Sequence, residues 1–207
     1  CWKWDWLIEF DIKGLFDTID HDLLMKAVRK HTEHKWVLLY INRWLKAPFE
    51  ETDGKLTERD RGTPQGGVIS PVLSSLFMHY VFDEWLNRNI SEVLWCRYAD
   101  DGLVHCKSLH QAKRVLHRLK ERFSECGLEL HPDKTKIVYC KDGTRRKKFQ
   151  TTCFDFLGYR FRPRQVKNSK RNSMFVSFTP AVSPLALKAM RNRVRRDGIR
   201  NRTDLSL

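Results

Sequence analysis

The sequence predicts an α+β fold, with helices packed on one antiparallel sheet, and three observations carry that expectation. "WDWLIEFDI" (Trp4 to Ile12) alternates apolar and polar residues as a strand does. Two longer stretches, 70–87 and 108–126, repeat their apolar residues at helical spacing instead. Along the chain the order runs strand, helices, hairpin, helix, strand, which suits a sheet covered by helices.

The first strand is expected to end near Asp11. "DHDLLMKAVRKH" then reads as a helix capped by Asp20 or Asp22, with Leu23, Leu24, Ala27 and Val28 on one face. A second helix is expected over Lys35 to Leu45. Asp53-Gly54 in "FEETDGKLTERDRG" signals a surface hairpin. "GTPQGG" (Gly62 to Gly67) breaks regular structure, and Pro71 suits the first turn of a helix running to about Asn87. Its apolar set is Val72, Leu73, Leu76, Phe77, Tyr80 and Val81. Val93 to Tyr98 and Leu103 to Cys106 read as two strands joined by the tight turn "ADDG". A helix over about Ser108 to Cys126 follows, with Ala112, Val115, Leu116, Leu119 and Phe123 on one face and Gly127 ending it. After the polar "HPDK", "TKIVYC" is a strand, and "CFDFLGYRFR" with "SMFVSF" forms another antiparallel pair. Beyond Pro180 and Pro184, "LALKAMRNRVRR" begins a basic helix.

At 207 residues and 41% hydrophobic residues the chain holds enough for one sizeable core plus an appendage. No run approaches the roughly eighteen apolar residues of a membrane span, and no signal sequence opens the chain, so an intracellular protein with no membrane partner is expected. The six cysteines form no C-x-x-C pair and read as reduced core thiols. Charge is distributed unevenly. Residues 1–140 carry 21 Lys+Arg and 21 Asp+Glu, whereas residues 141–207 carry 18 against 4, which places the whole formal charge of +14 in the last third. Basic residues there alternate with aromatic and apolar ones in "GYRFRPRQVKNSKRNSMFVSF", a pattern suited to a nucleic-acid strand held by its phosphates and packed on its sugars or bases.

"CRYADDGLVHC" (Cys96 to Cys106) sets Asp100 and Asp101 side by side within apolar flanks. Asp and Gly are common in turns for backbone reasons alone. Two adjacent carboxylates nonetheless repel unless water or a cation intervenes. Were the hairpin tip to lie beside the end of the first strand, Asp11 would join them. Magnesium suits such a set, because it takes one or two protein carboxylates and completes its shell with water and substrate phosphates. Two such ions would support nucleotidyl transfer by activating a 3′-hydroxyl and neutralising the leaving pyrophosphate.

"FDIKGLFDTIDHDLL", "GTPQGGVISPVLSSLFMHYVFDEWL", "RYADDGLVHC", "GLELHPDKTK" and "FDFLGYRFRPR" stand in the order and approximate spacing of reverse transcriptase motifs, and the chain most resembles the group II intron-encoded, maturase-type class over about residues 5–165. The resemblance implies a polymerase palm, residues 1–140, with an antiparallel sheet packed on helices. Primer-grip strands and a basic connector follow at 141–180, and the start of a helical thumb at 181–207, with the fingers largely absent. It implies Asp11, Asp100 and Asp101 as catalytic metal ligands together with the backbone carbonyl of Ile12, Asp100 ranking above Asp101 as a direct ligand. Phe16 matches the steric gate that favours deoxynucleotides, Gln65 and Gly66 match the contact with the incoming nucleotide and templating pair, and Lys134 matches the lysine near the triphosphate. Leu157, Gly158 and Tyr159 match the primer grip. The implied cofactor is Mg2+, two ions, with Mn2+ as a substitute.

The expected activity is RNA-directed DNA polymerisation, with an RNA template, a DNA primer, dNTPs and intron RNA as partners. The expected setting is the bacterial cytoplasm or an organelle. An intron RNA-binding splicing cofactor, with polymerisation secondary or lost, is the alternative. A viral-type RNA polymerase is disfavoured by Phe16 and "TPQGG", and a retron, diversity-generating or CRISPR-associated setting stays open. The chain begins at Cys1 and carries neither a complete thumb nor a maturase region, so it is expected to be a piece of a longer product.

Overall fold

The computed structural model describes residues 4–50, 54–64, 66–145 and 147–198. The chain divides into two compact units, Leu7–Ile137 and a second made of Cys1–Trp6 with Val138–Leu207.

The larger unit is built around strand β1, Trp6–Phe10, of which only Glu9 escapes burial. The expected alternation therefore gives way to a strand covered on both faces. A short helix α1, Leu15–Thr18, follows Gly14 in the left-handed region; four residues are too few to leave a periodic signal in the sequence. Helix α2, His21–Arg29, is capped by Asp20, whose carboxylate accepts from the Leu23 amide at 2.8 Å. It buries Leu24, Met25, Ala27 and Val28 and leaves Leu23 half-buried, so the inward face is turned one residue from the expected one. Helix α3, Lys35–Lys46, buries Ile41 and Leu45, and the rungs β2, Phe49–Glu50, and β3, Leu56–Thr57, pair as the expected hairpin. Asp53, expected in its turn, lies outside the described residues.

Helix α4, Ser70–Met78, carries Pro71 in its first turn, then widens into a π-helical turn over His79–Asp83 before α5, Glu84–Asn89. The wide turn shifts the phase of the helix. Leu73, Phe77, Met78, Val81, Phe82 and Leu86 are buried, whereas Val72 is exposed and Tyr80 half-buried, which corrects the regular apolar face read from the sequence. Strands β4, Leu94–Tyr98, and β5, Asp101–Cys106, pair antiparallel, helix α6, Leu109–Glu125, covers them, and β6, Lys136–Tyr139, completes a sheet of order β4-β5-β1-β6. Phe10, Phe82 and Phe123 meet at the centre with ring centroids 5.1 to 6.2 Å apart.

In the second unit β7, Phe154–Phe156, β8, Tyr159–Asn168, and β9, Ser173–Val182, form a separate three-stranded antiparallel sheet, followed by helix α7, Pro184–Arg196. The single sheet expected from the sequence is thus divided. Both prolines inside this sheet sit where no ladder bond is lost. Pro180 is on the edge strand β9, and Pro163 lies past Phe161, the last β8 residue paired with β7. Trp6, Tyr139 and Phe149 cluster with centroids 4.5 to 5.0 Å apart. The five described cysteines are free, and burial pushes the Cys106 and Cys140 thiols up to about 12, which keeps them protonated and unreactive. Among the described residues no helix is long and apolar enough to cross a membrane.

Candidate active site

The sheet order brings two distant segments together. β1 ends at Phe10, immediately before Asp11, and its neighbour β5 begins at Asp101. A Cβ added to Gly102 would overlap the Phe10 ring, so only glycine lets the start of β5 settle this closely on the end of β1. Asp101 and Asp11 consequently interact through their carboxyl groups across a sequence separation of 90 residues. Burial, the neighbouring Asp100 charge and the Asp11 charge together raise the Asp101 carboxyl above its ordinary range. Asp11 itself is buried, 7% exposed, and Lys134 Nζ donates to its Oδ2 at 2.8 Å. That hydrogen bond to Asp11 is the main reason the Lys134 ammonium is held above its ordinary pKa.

Asp11, Asp101 and Lys134 therefore form one contiguous charged cluster, with Asp100 in its field. Asp100 sits in the two-residue loop Ala99–Asp100, since Tyr98 pairs directly with Asp101. The turn read as "ADDG" is thus shorter than expected, and β5 starts two residues earlier. Ile12 is buried and bridges Leu130. The flanking bonds, His131 N to Asp11 O at 2.8 Å and Lys13 N to Glu129 O at 2.9 Å, leave Ile12's own carbonyl on the opposite edge from Leu130. Among the described residues no three acidic, histidine or cysteine groups come close enough to enclose a metal unaided. The donor chemistry nonetheless fits magnesium, which seeks hard carboxylate oxygens and completes its shell from water and phosphate.

Phe16, on α1, is half-buried, and its carbonyl accepts from Thr63 N at 2.6 Å. Gly66 stands at φ +81 in open space, and a Cβ at Gly67 would come 2.8 Å from Ser70 Oγ, so one glycine serves the backbone angle and the other a close approach. Gln65 lies outside the described residues. In the second unit Leu157 and Gly158 form the two-residue turn between β7 and β8, at φ 50 and 80. Leu157 and Tyr159 are each about half exposed, and Gly158 O accepts from Ser183 N at 2.8 Å, which ties the turn to the cap of α7.

Three supports escaped sequence reasoning. Arg97 forks onto Asp83 at 2.8 and 2.7 Å and donates to the Ala99 carbonyl at 3.1 Å. It thereby braces a loop whose Ala99 is held at φ 52, a region few alanines adopt. His21, buried on α2, bonds the Gly62 carbonyl at 2.7 Å, and because a carbonyl only accepts, Nε2 must carry the proton. With Gly62 N to Ile19 O at 2.7 Å and Thr63 N to Phe16 O, it fastens the glycine loop to the segment bearing Phe16. Gly102 is the third. The sequence alone places it in the "ADDG" turn, and only the apolar run Leu103-Val104 after it hints at a strand position where a glycine marks close approach.

The family described as "Reverse transcriptase (RNA-dependent DNA polymerase)" matches residues 2–161. The chain belongs to the reverse transcriptase family. "Protein YkfC" of Escherichia coli (strain K12) is 31% identical over 194 residues, covering 75% of the chain and 46% of that protein. "Putative COX1/OXI3 intron 1 protein" of Saccharomyces cerevisiae is 30% identical over 158 residues, covering 74% of the chain and 18% of that protein. "Group II intron-encoded protein LtrA" of Lactococcus lactis subsp. cremoris is 32% identical over 118 residues, covering 56% and 19%. The chain spans less than half the length of these relatives. Telomerase from Candida albicans, solved with a fragment of telomeric RNA, superposes with a TM-score of 0.58 at 17% identity over 76% of the chain and 29% of telomerase, a likeness of fold. The mixed helix and antiparallel-sheet architecture of this reverse transcriptase chain is that of a polymerase palm, as the motif order led one to expect.

Proposed function

We propose that this chain is the catalytic palm of an RNA-directed DNA polymerase encoded by a group II intron, extending a DNA primer on an RNA template. The observation that carries the reading is the approach of Asp101 to Asp11, with Lys134 bonded to Asp11, at the meeting of β1 and β5. Asp11 and Asp100 would hold two Mg2+ ions, for which Mn2+ would substitute, with Asp101 and the Ile12 carbonyl in support. Those ions supply the charge that activates the primer hydroxyl and neutralises the departing pyrophosphate. The protein's own part is positioning. Phe16 closes on the sugar, Gln65 and Gly66 meet the incoming dNTP and its templating base, and Lys134 turns from Asp11 to the triphosphate. Leu157, Gly158 and Tyr159 seat the primer end. Intron RNA is the natural template, in a bacterial cytoplasm or an organelle, and the modules around this palm belong to the longer parent.

The test is primer extension on an RNA template with magnesium and dNTPs, comparing the chain with its Asp100→Ala variant, each also joined to its flanking regions. Extension that disappears in the variant is expected, and extension that persists would overturn the metal role of Asp100. RNA binding with no extension by either protein would instead favour a splicing cofactor.

A further inference from the structure

The second unit contains a cleft of about 520 Å3 whose lining includes Lys141, Lys148, Phe149, Pro163, Arg164 and Val176. Its volume is in the range of small-ligand sites. Three cations line it, and among the described residues none of its lining is acidic. Converging like charges repel, which is costly to maintain without a compensating anion. Arg164 adds a sharper signal. Its Nε is buried and has no hydrogen-bond partner, in contrast to the guanidinium groups of Arg97 and Arg160, which fork onto Asp83 and Asp155. Among the described residues no carboxylate pairs with Arg164, and an anion entering the cleft would supply the counter-charge its guanidinium lacks within the fold.

The cleft also offers a flat apolar wall. Phe149 is 36% exposed although its ring packs against Trp6 and Tyr139, so one part of it is fixed and another is open. The floor is rigid: Pro163 and Arg164 lie on β8 opposite Phe178 and Ser177, Gln165 pairs with Val176, and Gly143 N bonds Val176 O at 2.9 Å on the far edge of β9. Fixed cations beside an aromatic face match a phosphodiester with its base stacked, the repeating chemistry of a single strand.

We propose that this cleft is a binding site for single-stranded RNA, with Lys141, Lys148 and Arg164 on consecutive phosphates and Phe149 under a base. The site is separate from the carboxylate cluster, and it rests on the polymerase reading only for the choice of RNA over another polyanion. A strand held here is gripped independently of base pairing to a primer, which suits a long structured template or the unpaired part of an intron.

The experiment is equilibrium binding of a labelled single-stranded RNA to the full chain between about 50 and 200 mM salt, without nucleotides, so that the result stands whether or not the chain polymerises. Replacing Lys141, Lys148 and Arg164 together by Gln should reduce the steepness of log affinity against log salt by about 2, given about 0.7 per phosphate on single strands. The comparator, with Arg191, Arg193 and Arg195 of α7 replaced by Gln, removes the same charge and should change affinity less. Equal losses in the two variants would overturn the cleft in favour of diffuse attraction. Lys148→Glu, an exposed single change that leaves the fold intact, should weaken binding on its own; unchanged affinity there would also overturn the proposal. Phe149→Leu should lower affinity about fivefold or more with the salt dependence unaltered, as loss of stacking requires. Complete displacement of the RNA by a mononucleotide would show that the cleft takes free nucleotides instead of a strand.

Discussion

The two units of the chain handle charge in opposite ways. In Leu7–Ile137 several charges are answered by a partner: Lys134 on Asp11, Arg97 on Asp83, Lys136 on Glu9. In the second unit cations outnumber acids heavily, and at the cleft holding Lys141 and Arg164 no acid lines the wall among the described residues. Paired charges hold geometry, because each fixes the other. Unpaired cations instead hold a ligand, because the missing partner comes from outside. The contrast separates chemistry from grip, and variants should break one without the other.

The largest effect is expected from the paired side. Asp11→Asn and Asp100→Asn should each lower primer extension by about 10²-fold or more, the scale of losing a preorganised electrostatic contact in a reaction centre. Single-stranded RNA binding should be unchanged, as measured on the same preparations; a comparable loss of binding would merge the two functions. Next comes the brace. Asp83→Ala leaves the Arg97 guanidinium, 8% exposed, without its partner, and breaking such a pair costs about 3–5 kcal/mol. Thermal unfolding should register that loss. Asp83→Glu should recover part of it.

Smaller effects should follow at the sugar. Phe16→Val should increase ribonucleotide incorporation relative to deoxynucleotide, read as the ratio of kcat/KM values. His21→Ala should shift the same ratio in the same direction by less, about fivefold if one buried hydrogen bond worth roughly 1 kcal/mol is lost. His21→Gln offers a donor near the Nε2 position and should restore much of the selectivity. Unaltered selectivity in His21→Ala would show that the glycine loop keeps its place without the latch.

How far the sequence foretold this arrangement depends on the range of the interaction involved. Asp20, Gly127 and Pro71 act within one turn of their own helices, and each was readable as a cap, a stop or a start. The candidate carboxylates were readable as residue types in ordered motifs. Their meeting could be named only as a condition, since it depends on β5 lying against β1 and on Phe10 filling the space that Gly102 leaves. The π-helical turn at His79–Asp83 escaped for a related reason. Apolar residues on both sides of it keep a plausible helical spacing, and the wider turn accompanies long-range packing of Phe82 against Phe10 and Trp95 that the spacing does not show. Arg164 was one basic residue among many in the sequence. Its missing partner became visible only once the strands around it were in register.

The finest test of the paired-charge rule lies on β5, where a titratable group is buried without a partner. His105 Nδ1 is buried with no hydrogen-bond partner, and burial lowers the imidazole from 6.5 to about 4. At neutral pH the ring is uncharged in both folded and unfolded chains. Between about 6.5 and about 4 only the unfolded chain takes up the proton, so acidification through that window must favour unfolding, and below the folded value the loss is complete. Denaturant midpoints measured from pH 7 to pH 4 should fall accordingly, and His105→Phe, which removes the titration and keeps a ring in the site, should flatten that part of the curve. A variant whose midpoint falls as steeply as the parent's would place the acid sensitivity elsewhere, on groups other than the buried imidazole.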